Sequence, residues 1–315
     1  MNKDVKILLR KIGVFVLPVF AWICIVLIVD PFNYFNVSQI ITAKAKEKSA
    51  QQLNSLLYNA IHFKNNPTKH IIIGDSRIRK LPNSRIKELT GNEYYTMHSN
   101  AAKLNEIIDL FWFSDSLWFS TDSTNLENVI IGINFNLYNE YAYSNRVADV
   151  KKILDNKFIY IFNWNILETV YLALKNEFFD FNKPNEKKDK EAFWDYTIKT
   201  IAKNHYSKYK HPKETLLRLK EMGDSCKANN INLILLIVPH HKEFHDRLVD
   251  YNLEAEEARF KEAIKDIGTV IDYDFPNQIT NCRSCFGDPL HTTDSISNII
   301  VNELFSDSLV IGRKL

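Results

Sequence analysis

A serine becomes a nucleophile when a base sits beside its hydroxyl and an acidic partner fixes the base from behind. Ser76 is the serine candidate, in the run His70-Ile71-Ile72-Ile73-Gly74-Asp75-Ser76-Arg77. The base and its partner lie more than two hundred residues on, in Asp288-Pro289-Leu290-His291. Asp and His three apart can meet on one turn, the carboxylate on Nδ1 and Nε2 left facing the serine. That arrangement serves attack on an acyl carbonyl, which generates an oxyanion. Each piece alone has a plainer reading, Asp75-Ser76 as a helix cap and Asp288 with His291 as a structural pair. The chain order is Ser, Asp, His, and the Gly-Asp-Ser upstream gives the pairing its force.

The elements that must position these residues come next. Ile71 to Ile73 read as a buried strand that Gly74 ends, with a helix expected directly after Ser76. A serine there lies at the carboxyl edge of a sheet, beside the N–H groups and positive dipole end of a helix. Further strands are expected over 93–97, 128–135, 231–238 and 269–274, with helical stretches between them. Ile231 to Val238 is apolar at nearly every position, as a central parallel strand is. The alternation predicts an α/β fold, a flavodoxin-like doubly wound parallel sheet of about five strands.

These pieces resemble the SGNH/GDSL hydrolase superfamily, which carries its serine in Gly-Asp-Ser after the first strand and a D-x-x-H near the C-terminus. Gly132-Ile133-Asn134 matches the first three positions of that family's G-x-N-D block, with Phe135 in place of the Asp. The resemblance covers roughly residues 68 to 305, with an insertion, and three of four blocks. It implies catalytic roles for Ser76, Asp288 and His291, with the Asn134 side-chain amide on the oxyanion. The family's glycine block has no clear counterpart in Tyr94 to Ala102, where Asn100 or Ala101 would stand in as backbone donor. Gly74 and His240 complete the candidate oxyanion or substrate residues. No cofactor or metal is expected.

Residues Ile12 to Val29 carry no charge, and at about 1.5 Å per residue they span roughly 27 Å, enough for a bilayer's hydrocarbon layer. Pro18 is tolerable in lipid. Asp30-Pro31-Phe32-Asn33-Tyr34-Phe35 follows with no small-residue cleavage site, which favours an uncleaved signal anchor. The formal charge of +2 comes from Lys3, Lys6, Arg10 and Lys11 against Asp4 and Asp30, and the remainder balances. Those basic residues predict a cytoplasmic N-terminus in the inner or plasma membrane, with the rest periplasmic or extracellular. A neutral remainder gives no sign of nucleic-acid binding.

The expected organisation is therefore a cytoplasmic tip and anchor over 1–35, a helical stalk over 36–67 and an SGNH-like domain over 68–315. A helical insertion at about 140–212, packed over the sheet's active edge, interrupts that domain. It is dense in aromatics (Phe158, Tyr160, Phe162, Trp164, Tyr171, Phe178, Phe179, Phe181, Trp194, Tyr196) and holds a charged exposed loop, Asn182 to Lys190. The rings suit either a sugar platform or, the stronger expectation, the insertion's own core. Cys282 and Cys285 suggest a local disulfide bracing the loop before Asp288. His240, His241, His245 and Asp246 fit the mouth of a cleft better than a metal site, and Arg77 and Arg79 fit contact with an anionic polymer or, equally, a solvated helix face.

Anchored relatives of this layout, such as the alginate-acetylation proteins, move acetyl groups onto envelope polysaccharides, often with a membrane-bound O-acyltransferase as acyl source. The resemblance thus implies an extracytoplasmic serine esterase or O-acyltransferase whose partners are the membrane, an acylated glycan and such a transferase. A glycan-binding or scaffold protein that uses the same fold without catalysis is the alternative.

Overall fold

In the computed structural model, which describes residues 3–179, 189–306 and 308–315, the chain packs as two compact units. One is Met1–His62 with Ala148–Lys183, the other Phe63–Val147 with Pro184–Leu315. The chain order is α1 (Lys3–Val29), α2 (Ala43–Asn65), β1 (His70–Gly74), α3 (Asn83–Thr90), β2 (Tyr94–His98), α4 (Leu104–Asp122), β3 (Asn128–Gly132), α5 (Arg146–Asp155), α6 (Lys157–Ile161) and α7 (Trp164–Phe178). It continues with α8 (Lys190–Tyr196), α9 (Ala202–Tyr206), α10 (Lys213–Ala228), β4 (Asn232–Ile237), α11 (Lys242–His245), α12 (Glu254–Ile264) and β5 (Thr269–Asp272). A short hairpin, β6 (Phe286–Asp288) and β7 (His291–Thr292), precedes α13 (Asp294–Leu304) and β8 (Arg313–Lys314).

The second unit is α/β, with a mostly parallel sheet in the order β2-β1-β3-β4-β5-β8. Five strands run parallel and the short edge strand β8 is antiparallel. Ile71, Ile72 and Ile73 of β1, Val129 to Ile131 of β3 and Leu235 to Ile237 of β4 are all buried. Each such side chain contributes roughly 1.5–3 kcal/mol by leaving water, which is why these strands are apolar at successive positions. Strands are added on one side of β1 and then on the other, so the order reverses between β1 and β3. Crevices for ligands form at such a reversal, at the carboxyl ends of the strands.

Gly74 and Gly132 end the neighbouring strands β1 and β3, and Ile78 lies over both. A Cβ on Gly74 would stand 2.9 Å from Ile78 Cγ1, and one on Gly132 would stand 2.4 Å from Ile78 Cγ2. The two glycines are a floor for the turn that carries Ser76. Gly74 thus acts by having no side chain. The helix expected directly after Ser76 is only one 3-10 turn, Ile78–Lys80, and α3 begins at Asn83. Pro82 is the reason, since it pushes Leu81 into extended backbone (ψ 118°) and stops any α-helix started earlier.

The first unit departs from a bare anchor and stalk. Ala45, Ala50, Leu56, Leu57, Ala60 and Ile61 of α2 are buried, so 36–67 holds a packed helix rather than a free-standing one. Asn54 breaks it (φ −150°, ψ 77°) and re-caps the second half, its Oδ1 accepting from Leu57 N at 3.0 Å. The expected insertion is divided. Its first part, through α7, belongs with the N-terminal helices, and its second part, from α8 on, belongs with the sheet. Most of its rings are also exposed (Phe158, Phe162, Trp164, Tyr171, Phe178, Phe179, Tyr196), against the expectation of a core, while Tyr160 and Trp194 are buried. Phe181 and the charged stretch as far as residue 188 fall outside the described residues.

Gly132→Ala is expected to destabilise the protein by about 1–3 kcal/mol through overpacking against Ile78. Ile78→Ala in the same chain should recover part of that loss, so the double variant unfolds at higher denaturant than the sum of the single effects requires. Additive losses would show that the clash is elsewhere.

Candidate active site

Ser76 follows β1 at the carboxyl edge of the sheet, half-buried. Its Oγ lies 2.8 Å from His291 Nε2. The other ring nitrogen, Nδ1, is 2.9 Å from both Asp288 oxygens. An ionised carboxylate only accepts, so Nδ1 carries the proton and donates. In the neutral ring Nε2 is then the acceptor, and the serine hydroxyl donates to it. The expected residues from the two ends of the unit are brought together.

The meeting of Asp288 with His291 is made by a hairpin rather than a helical turn. Asp288 pairs with His291 across β6 and β7, with Pro289-Leu290 as the two-residue connection. Leu290 N donates to Asp288 Oδ1 at 3.0 Å, and Pro289 O accepts from His241 N at 2.9 Å, which holds the hairpin against the loop after β4. Cys282 and Cys285 are bonded to each other one turn before β6, and Thr293 N closes on Cys285 O at 2.9 Å. Lys80 reaches across from the 3-10 turn to Thr292 O at 3.2 Å, so the serine segment and the histidine hairpin are tied directly. Burial raises the Asp288 pKa, but its hydrogen bond to His291, the ring's charge and two backbone N–H groups outweigh that and leave it lowered.

Beneath the serine lies a polar cluster that the sequence reading did not anticipate. Arg77, expected on a solvated face, is only 5% exposed. Its Nε and Nη2 engage Asp75, with Nη2 to Oδ2 at 2.7 Å. Its Nη1 donates to Asn136 Oδ1 at 2.9 Å and to His240 Nε2 at 2.5 Å. Because arginine only donates, His240 Nε2 must accept, and Nδ1–H must donate to Asp274 Oδ2 at 2.9 Å. His240 is therefore a neutral imidazole with both nitrogens occupied, and its expected oxyanion or substrate role is corrected to an internal one. Burial lowers its pKa, the Asp274 carboxylate opposes this, and with Arg77 lowering it further the group stays below its ordinary value. Asp75 and Asp274 are both held below the usual carboxylate value despite burial, Asp75 by Arg77 and Asp274 by the Nδ1–H of His240 and the Lys261 charge.

Asn134 is fully buried, and its Nδ2 donates to Val238 O at 2.7 Å. That hydrogen bond, one of the two the amide can donate, ties the end of β3 to the end of β4. The strand geometry explains this: Ile133 N still bonds Leu236 O at 2.9 Å, so the chain stays against β4 until the 3-10 turn at Phe135–Leu137. Asn100 and Ala101 lie exposed in the loop after β2, with Ala101 in the left-handed region (φ 52°). Ser99 N donates to Gly74 O at 3.2 Å, which brings that loop to the end of β1. The Ser76 N–H makes no hydrogen bond to the described residues and is free to serve an oxyanion. His241 caps α11, His245 bonds Glu257, and no group of three or more metal-ligating side chains is placed to hold an ion among the described residues.

Two measurements test this electrostatic picture. In 15N NMR, His240 should stay a neutral Nδ1–H tautomer at pH 6, with Nε2 unprotonated; a protonated Nε2 there would break the Arg77 assignment. His98, beside Gly74 in the sheet, is buried, and burial with the Arg79 charge lowers its pKa to about 4. Between about 4 and the ordinary 6.5 the unfolded chain binds the extra proton, so stability is fully present above 6.5 and falls as pH drops, by up to about 3 kcal/mol from this one group. His98→Gln should flatten the fall of unfolding midpoint between pH 7 and 4.5, and an unchanged slope would contradict it.

No family model and no curated protein matches this chain, and the chemistry of the site rests on its own geometry.

Proposed function

We propose that the protein is an SGNH-type serine esterase or O-acyltransferase, anchored in a membrane and acting on acyl groups, acetyl esters by resemblance, of an envelope polysaccharide. The contact between Ser76 Oγ and His291 Nε2 at 2.8 Å, with Asp288 behind the ring, carries this reading. Ser76 attacks the acyl carbonyl as its proton passes to Nε2. Collapse of the tetrahedral adduct expels the alcohol, which takes that proton, and leaves an acyl-serine. Water or a sugar hydroxyl then repeats the steps in reverse. Positioned proton transfer of this kind contributes about 10²–10⁴ in rate. The Ser76 N–H is the first oxyanion donor, and a donor in that position contributes about 2.7–4 kcal/mol elsewhere.

The strand order agrees with a flavodoxin-like doubly wound sheet, which has its ligand crevice at the same reversal of order. One N-terminal helix is long and apolar enough to cross a membrane, and Arg10 and Lys11 at its start favour a cytoplasmic N-terminus. An external domain would draw its acyl group from a membrane-bound O-acyltransferase. The burial of Asn134 favours a second reading, a glycan-binding protein that keeps the fold without turnover.

Fluorophosphonate labelling of the full chain separates the two. The esterase reading expects modification of Ser76, abolished in Ser76→Ala and slowed by several orders of magnitude in His291→Ala and Asp288→Asn. A folded wild-type chain that resists the reagent would leave the binding reading in its place.

A further inference from the structure

The exposed aromatics of the first unit lie where α1 would leave a bilayer. From Ile12 to Ala21 that helix is exposed on every side, a length of about 15 Å, half of a hydrocarbon layer of roughly 30 Å. Arg10 and Lys11 keep the layer from extending the other way. About 20 residues beyond Lys11 bring the far boundary to Asp30 and Pro31. The last two turns of α1 therefore belong to the layer as well, although Val26 and Val29 are buried in protein. On this stretch α6 meets α1, where Trp22 Nε1 donates to Ile161 O at 2.9 Å, and α7 packs on α1 as well. Whatever packs on that stretch shares its depth.

We infer that α6 and the start of α7 sit in the lipid on the Asp30 side of the bilayer, with Phe158, Ile159, Phe162 and Trp164 as their lipid contacts. Phe158 is 72% and Trp164 69% exposed within the protein, and Leu167 and Tyr171 continue the stripe at helical spacing opposite the buried Ile166, Val170 and Ala173. An ordinary soluble surface does not hold so many large rings in one patch. The backbone suits lipid too. The N–H groups of Phe158 and Ile159 are met by Asn156 and that of Asn165 by Asn163, so the connection leaves these donors satisfied where water is scarce. Trp164 Nε1 donates to Glu168 at 2.8 Å, so its indole N–H is satisfied within the protein. At the boundary itself, Asp30 is buried with its carboxylate on the N–H groups of Tyr34, Phe35 and Asn36 and the Tyr160 hydroxyl. The occupant of this face is the bilayer, and a second copy or another protein is the competing outcome.

The test places p-benzoylphenylalanine singly at positions 15, 158 and 162 of the full chain in phosphatidylcholine/phosphatidylglycerol nanodiscs and reads adducts by mass after irradiation. A shift by one lipid is expected at 158 and 162 as at 15 on α1. Protein adducts or no adduct at 158 and 162, with lipid at 15, would overturn the inference. So would no lipid at 15.

Discussion

A guanidinium buried to 5% exposure must be matched at nearly every hydrogen, because an unpaired charge in the interior costs several kcal/mol. Arg77 meets that demand with Asp75 from the end of β1, Asn136 from the segment after β3 and His240 from the segment after β4. His240 passes the tie to Asp274 after β5. Three neighbouring parallel strands are thereby fastened at their carboxyl ends by one side chain, next to Ser76 in sequence, and a fourth through His240. The serine stands between two residues, Asp75 and Arg77, that are locked on each other. Its turn has little freedom left.

The unit contains two Asp–His pairs with opposite consequences. In Asp288–His291 the hairpin leaves the ring partly open to solvent, and Nε2 faces a hydroxyl that can give up a proton. In Asp274–His240 the ring is 2% exposed and Nε2 faces a guanidinium that cannot. The chemical difference lies in what meets the second nitrogen. An Asp behind a His marks a base only when the other side of the ring is vacant or holds an acid weak enough to be deprotonated in the reaction.

That contrast explains which parts were legible in the sequence. The strands were, since burial on both faces leaves continuous Ile, Val and Leu runs, and β1, β3, β4 and β5 lie within the expected spans. Ser76, Asp288 and His291 were legible because their types and order imply a contact. Arg77 was not, since its neighbours in sequence say nothing of Asn136, His240 or Asp274, which only the closed sheet delivers. The bond of Asn134 to Val238 was illegible for a related reason: a motif fixes the residue and its strand, while the partner of its amide depends on how long β3 stays beside β4. The edge strand β8 and the β6–β7 hairpin are too short to leave a periodic signal.

The first unit follows from a constraint that no local pattern carries. A long apolar helix must stop turning at its end, satisfy its last carbonyls and pair any charge it buries there. Asp30 performs the first step with a positive φ of 36°, and its carboxylate then organises the next three backbone N–H groups. The fourth partner, the Tyr160 hydroxyl, comes from 130 residues further along the chain. Ring packing of Tyr34 on Tyr160, centroids 4.3 Å apart, fixes the same junction from its apolar side. A segment that reads as an insertion into the sheet domain is thus needed to finish the end of α1. Its aromatics therefore divide by position, Tyr160 inward on that junction and Phe158, Phe162 and Trp164 outward, rather than forming one core.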